Sequence, residues 1–160
     1  MWDRLAKQVG VGLGQLDELL RAYGPLIERC RTAEPDHIER AALAAMLHSF
    51  YTGIENLLRR VALEADGQAP RGDLWHRRLL DQMSAGTSER PAVIDGELRA
   101  VLRPYLDFRH MFRHAYAFEL QWKKMREPVM RCEETLSALR EQVQVFLASP
   151  PKDAATQLPP

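Results

Sequence analysis

Paired cysteines are missing from this sequence. Cys30 and Cys132 stand alone with no metal-ligand spacing between them, which argues against a disulfide framework or a zinc site. They read as reduced, part-buried thiols, and the expected compartment is the cytoplasm. A long apolar run is missing too. No stretch approaches the roughly 18 residues of a membrane-spanning helix, and Met1 to Lys7 has no signal-peptide core. Net charge is absent, with 22 basic and 22 acidic residues summing to zero. The whole molecule therefore exerts no long-range pull on nucleic acid or an acidic membrane, and any polyanion must meet a local cluster. Alternating strand patterns and fixed-period repeats are absent as well. What remains is a 160-residue chain, 46% hydrophobic and 28% charged, the balance of one ordinary globular domain.

Helical spacing fills most of that chain. Leu13, Leu16, Leu19, Leu20, Tyr23, Leu26 and Ile27 predict a first helix over 13–31, kinked or broken at Gly24-Pro25. Gly10, Gly12 and Gly14 predict a frayed segment before it. A long second helix is expected over 35–65, opened by Pro35, Asp36 and Glu39 and closed at Gly67. Asp73 is the expected cap of a short third helix over 74–85. Asp95 is the expected cap of a fourth over 96–116, bent at Pro104. A fifth, over 120–148, carries a kink at Pro128. The Pro- and Ala-rich tail from Ser149 is expected to be disordered. The fold class is thus all-α, an up-and-down bundle of about five helices, with one domain over 1–148 and a tail over 149–160.

Chemistry concentrates in one stretch, Phe-Arg-His-Met-Phe-Arg-His-Ala-Tyr-Ala-Phe-Glu from Phe108 to Glu119. Arg109 offers a planar guanidinium that can hold a phosphate through two hydrogen bonds. His114 can take or give a proton near neutrality. Together they suffice, without metal, to cleave RNA by attack of the 2′-hydroxyl on the adjacent phosphate. Arg109 would neutralise the charge that develops on the phosphorane oxygens. On a straight helix the two residues point about 140° apart, so either the helix distorts or two copies form a composite site across a two-fold axis. Arg113 and Tyr116 share the face of Arg109, whereas His110 and His114 share the neighbouring one. His110 and His114 also stand at a metal-ligating spacing. Met111 occupies the place of the glutamate in such helices, and no further ligand motif follows, so no metal and no cofactor are expected. His48 and His76 read as core or surface histidines, and His37 as part of an exposed first turn.

The pattern Arg109-x4-His114-x-Tyr116, late in the fourth helix of a small all-α chain, resembles the HEPN superfamily, specifically the HepT-like ribonuclease toxins. Ser-Phe-Tyr-Thr-Gly-Ile-Glu-Asn at 49–56 and Leu-Trp-His-Arg-Arg-Leu-Leu at 74–80 carry the same resemblance, which extends over about residues 13–147. It implies a homodimer whose Arg109 and His114 line a shared cleft, and a metal-independent endoribonuclease acting as the toxin of a type II-like toxin–antitoxin pair. It also implies an MntA-like minimal nucleotidyltransferase antitoxin that transfers AMP onto Tyr116. His110 and Ala115 depart from the asparagine and glycine common at those places, and Phe112 and Arg113 replace more aliphatic residues. His110 and Arg113 are therefore accessory candidates. A second class of function fits the same residues: a non-catalytic helical subunit that holds a nucleotide or a partner nucleotidyltransferase. A third is a dimerisation domain in which Arg109 and His114 are interface contacts.

Overall fold

A computed structural model describes residues 2–114 and 120–149, and among them every regular element is a helix. They are α1 (Trp2–Arg29), α2 (His37–Asp66), α3 (Trp75–Ser84), α4 (Gly96–His114), α5 (Trp122–Met130) and α6 (Cys132–Leu147). The chain is an all-α bundle, as the periodicity predicts, but α1 is longer than expected and the fifth helix is two.

The glycines near the start do not fray α1. Leu5, Val9, Leu13, Leu16, Leu20 and Ile27 form one buried stripe along it. Burying each such side chain is worth about 1.5–3 kcal/mol, against about 1 kcal/mol for each helical glycine. The stripe wins. The start is also pinned to the far end of the chain: Trp2 Nε1 donates to the Leu147 carbonyl at 2.8 Å, and its ring lies 5.7 Å from Phe146. Gly24-Pro25 does not break the helix either. The carbonyl that Pro25 leaves without an amide partner belongs to Arg21, and both residues are exposed, so water can satisfy it. Pro104 is tolerated inside α4 for the same reason, facing solvent opposite exposed Ala100.

Pro128 behaves differently because it is buried. Its carbonyl accepts the Tyr105 hydroxyl at 2.7 Å and the Cys132 thiol at 3.2 Å. Engaged from the side, the turn at Arg131 leaves the helical path, and α6 begins at Cys132 as a separate element.

The central element is α2, which packs against α1, α3, α4 and α5. Its ends follow the expected chemistry. Asp36 and Glu39 form a reciprocal capping box, each bond 2.9 Å long, and Gly67 closes the helix at φ 69°, a left-handed conformation that favours glycine. At Gly53, α1 comes so close that an added Cβ would meet Leu16 Cδ2 at 2.6 Å. Asp95 caps α4 by accepting the Leu98 amide at 2.7 Å. The expected Asp73 cap does not form, and α3 starts after Leu74 without a side-chain cap. The 85–95 connection is held instead by buried Arg90, which spans Asp66 on α2 and the carbonyls of Gln82, Ala85 and Pro91. None of the helices is long and apolar enough to cross a membrane.

Candidate functional site

Residues 108–114 of the basic stretch form the last turns of α4, laid against the middle of α2 and the start of α3. Apolar residues fix it there. Phe108 is buried and stacks on Phe112 one turn later, with centroids 6.2 Å apart. Phe112 in turn packs on His48 of α2 at 5.3 Å. Holding Phe108 and Phe112 to the bundle turns the intervening Arg109 toward α2 and α3, and its side chain is only 14% exposed.

What Arg109 meets there was not apparent from local sequence. Glu55 of α2 is 2% exposed, a carboxylate inside the bundle. Its Oε1 lies 3.4 Å from Arg109 Nε, and its Oε2 lies 2.6 Å from His76 Nδ1 on α3. Arg109 Nη1 is 3.2 Å from His76 Nε2. The three groups close a triangle drawn from three helices. An arginine has only donors and a carboxylate only acceptors, so the bonding is satisfied when His76 donates from Nδ1 to Glu55 and accepts at Nε2 from Arg109. That is the neutral imidazole. A doubly protonated ring would turn an N–H against the guanidinium. Trp75 covers the ring of His76 from a centroid distance of 3.7 Å.

Burial pushes the Glu55 carboxyl above its ordinary range, while His76 and Arg109 pull it back. Burial also lowers His48, and the charges of Arg109 and Arg113 lower it further. The triangle is not fully bonded: Arg109 Nε is buried, close enough to Glu55 for Coulomb attraction but without a well-aligned hydrogen bond. Among the described residues no acceptor is hydrogen-bonded to Nη2.

His110, Arg113 and His114 are exposed, and the rings of His110 and His114 sit 5.0 Å apart. α4 stays helical through His114, so nothing within it distorts to bring Arg109 and His114 together. The structure brings Arg109 to Glu55 and His76, and His114 to His110, as two separate groupings. Tyr116 lies outside the described residues. No cluster of three or more candidate metal ligands occurs among those described. A groove of about 530 Å³ runs between α1 and α2 beside His48, lined by Gln15, Thr52, Asn56 and Arg60 among others.

Glu55 and His76 are the residues that sequence patterning missed. One signal was present: Glu55 falls on the buried stripe of α2 formed by Tyr51, Ile54 and Leu58, where a charge needs a partner. Its partners, 21 residues away at His76 and further on at Arg109, were invisible without the fold.

A family model described as HepT-like protein matches residues 42–149. The chain belongs to the HepT-like family. The matched region contains Glu55, His76, Arg109 and His114, while α1 and the start of α2 lie before it. Among the curated proteins and the solved structures, none matches the chain at a significant level.

Proposed function

We propose that this HepT-like chain is a metal-independent endoribonuclease, the toxin of a type II-like toxin–antitoxin pair, with Arg109 and His114 as its catalytic residues. The observation that supports it best is the contrast along one helix end. Arg109 is fixed from behind by Glu55 and His76, while His114 stands in solvent beside His110. A fixed cation and an accessible imidazole are the parts that phosphodiester transesterification needs. The 2′-oxygen attacks phosphorus, the bond to the 5′-oxygen breaks, and a 2′,3′-cyclic phosphate and a 5′-hydroxyl result. The imidazole handles the proton of the nucleophile or leaving group, and Arg109 stabilises the phosphorane.

The two residues project from different faces of a helix that continues through His114, which favours a composite site in a homodimer. In such a dimer one protomer's Arg109 faces the partner copy's imidazole. His110 and Arg113 are accessory groups at the same rim. Tyr116 is the position at which a minimal nucleotidyltransferase antitoxin of the MntA-like kind would attach AMP, placing a phosphodiester anion near Arg109 and Arg113. Intact-mass spectrometry after coexpression should then show one added AMP on wild type and none on Tyr116→Phe.

Purified protein incubated with single-stranded RNA in EDTA provides the test. Wild type should cut and His114→Ala should lose about 10²–10⁴-fold in rate. The engagement of Arg109 by a carboxylate favours one rival, a non-catalytic subunit that holds a nucleotide or a partner nucleotidyltransferase. Binding of nucleotide or partner without RNA cleavage would select that rival.

A further inference from the structure

We propose that Glu55 and His76 are the positioning residues of the site, a carboxylate–imidazole pair that sets the plane and reach of the Arg109 guanidinium. The proposal deepens the ribonuclease function and rests on it for its catalytic arm. Geometry carries it. Glu55 contacts both partners, with one oxygen 2.6 Å from His76 Nδ1 and the other 3.4 Å from Arg109 Nε. His76 completes the ring at 3.2 Å from Nη1. An arginine side chain has four rotatable bonds and, left alone at a helix end, samples many orientations. His76 at Nη1 and the Glu55 carboxylate beside Nε hold the group at two points, and Nη2 has no hydrogen-bond acceptor among the described residues. The guanidinium is planar and rigid, so contacts at two of its nitrogens orient the whole group.

Glu55 is an unusual choice if its task were only to stabilise the bundle. A charge buried to 2% exposure costs more than a packed apolar residue would, and its ion pair is long rather than bidentate. His76 also has a task that packing alone does not require. To accept from a cation it must be neutral and protonated on Nδ1, and Glu55 selects that tautomer. The groups facing His76 are Glu55 from its own partner helix α2 and Arg109 from α4, with Trp75 beneath it on α3. Nothing in the local sequence around Arg109 supplies either function.

Two measurements test the proposal separately from the ribonuclease function. The first needs no activity. Long-range ¹H–¹⁵N NMR of wild type near neutral pH should show His76 as the Nδ1–H tautomer, with the Arg109 Nε–H signal resolved and slow to exchange. In Glu55→Gln the tautomer should become mixed, and the Arg109 signal should broaden or vanish. An Nε2–H tautomer in wild type, or an Arg109 signal indifferent to Glu55→Gln, would overturn the proposal.

The second uses RNA cleavage by folded variants, with melting temperature as the check. Glu55→Gln and His76→Asn should lower kcat by about 10–100-fold with KM changed less than threefold, because a misplacement of about 1 Å can cost 10²-fold in rate. In an Arg109→Lys background, Glu55→Gln should add less than threefold, since its effect passes through Arg109. Equal losses in both backgrounds would reduce Glu55 to a packing residue. If Glu55→Gln fails to fold, His76→Asn carries the same comparison. Should wild type leave RNA intact, the ribonuclease function falls, and the NMR result alone decides whether the pair positions Arg109.

Discussion

Two arginines in this molecule meet carboxylates of α2, Arg90 buried and Arg109 half-buried, and they are satisfied to different degrees. Arg90 is closed on every side. Its Nε and Nη2 grip both oxygens of Asp66 at 2.5 and 2.6 Å, and three backbone carbonyls take further N–H groups. Arg109 meets Glu55 through one long contact at 3.4 Å and shares a second with a histidine. The carboxyls register the difference. Burial opposes ionisation of both, but hydrogen bonds from Arg90 and Gln82 outweigh it at Asp66 and hold that group below its ordinary range. At Glu55 burial prevails and the group is raised. A completed buried ion pair is a structural lock. An incomplete one, at the end of a helix and beside exposed histidines, leaves the guanidinium with donors that no acceptor among the described residues takes up.

The largest expected effect comes from breaking the lock. Arg90→Ala removes a buried cation, leaves half-buried Asp66 and three backbone carbonyls without their donor, and should cost about 3–5 kcal/mol of folding stability, measured by chemical denaturation. Activity per folded molecule should change little. Arg109→Ala should do the reverse, abolishing RNA cleavage in EDTA while costing less stability than Arg90→Ala, because its pairing was incomplete. Equal stability losses with cleavage intact would erase the distinction.

A pH series sharpens the comparison because the two carboxyls have opposite signs. Asp66 has its native pKa depressed, so its contribution is full above the ordinary carboxylate range and is lost as pH falls through the native value. The stability gap between wild type and Asp66→Asn should therefore narrow in acid. Glu55 has its native pKa raised, so its contribution is full below the ordinary range and is lost as pH rises through the native value. Wild type should thus compare better with Glu55→Gln in acid than at neutrality. Denaturation curves at pH 7 and at pH 3 or below would check both, and parallel changes would contradict the assignment.

The smallest effect is expected at Tyr51, one turn before Glu55. Its hydroxyl is buried with no hydrogen-bond partner among the described residues, and burial pushes its pKa far above the usual phenol range. Tyr51→Phe removes an unsatisfied group and should be neutral or stabilising by up to about 1 kcal/mol, with cleavage unchanged. A large loss of activity would place Tyr51 in the site alongside Glu55.

Much of the fold was legible in the sequence because its signals are local. The Asp36–Glu39 box and Asp95 mark helix starts through side chains within three residues of the backbone they serve, and Gly67 marks an end through its own left-handed backbone. The misjudged elements depended on distant partners. α1 extends to Trp2 because its stripe is buried against α2 and its first turn is tied to Leu147. α5 and α6 separate at Arg131, after a Pro128 carbonyl taken by Tyr105 from another helix. The same division holds at the site. Arg109, His110, Arg113 and His114 announce themselves within six residues of one another. Glu55 and His76 are ordinary residues until α2 and α3 bring them to Arg109.

The central claim is that an Arg109 set from behind acts with His114 on RNA. Cleavage of an end-labelled single-stranded RNA in EDTA, by wild type and His114→Ala side by side, tests it most directly. The account predicts fragments ending in 2′,3′-cyclic phosphate from wild type and at least a 10²-fold slower reaction from the variant. Equal cleavage by both proteins, or intact RNA with folded wild type, would contradict it.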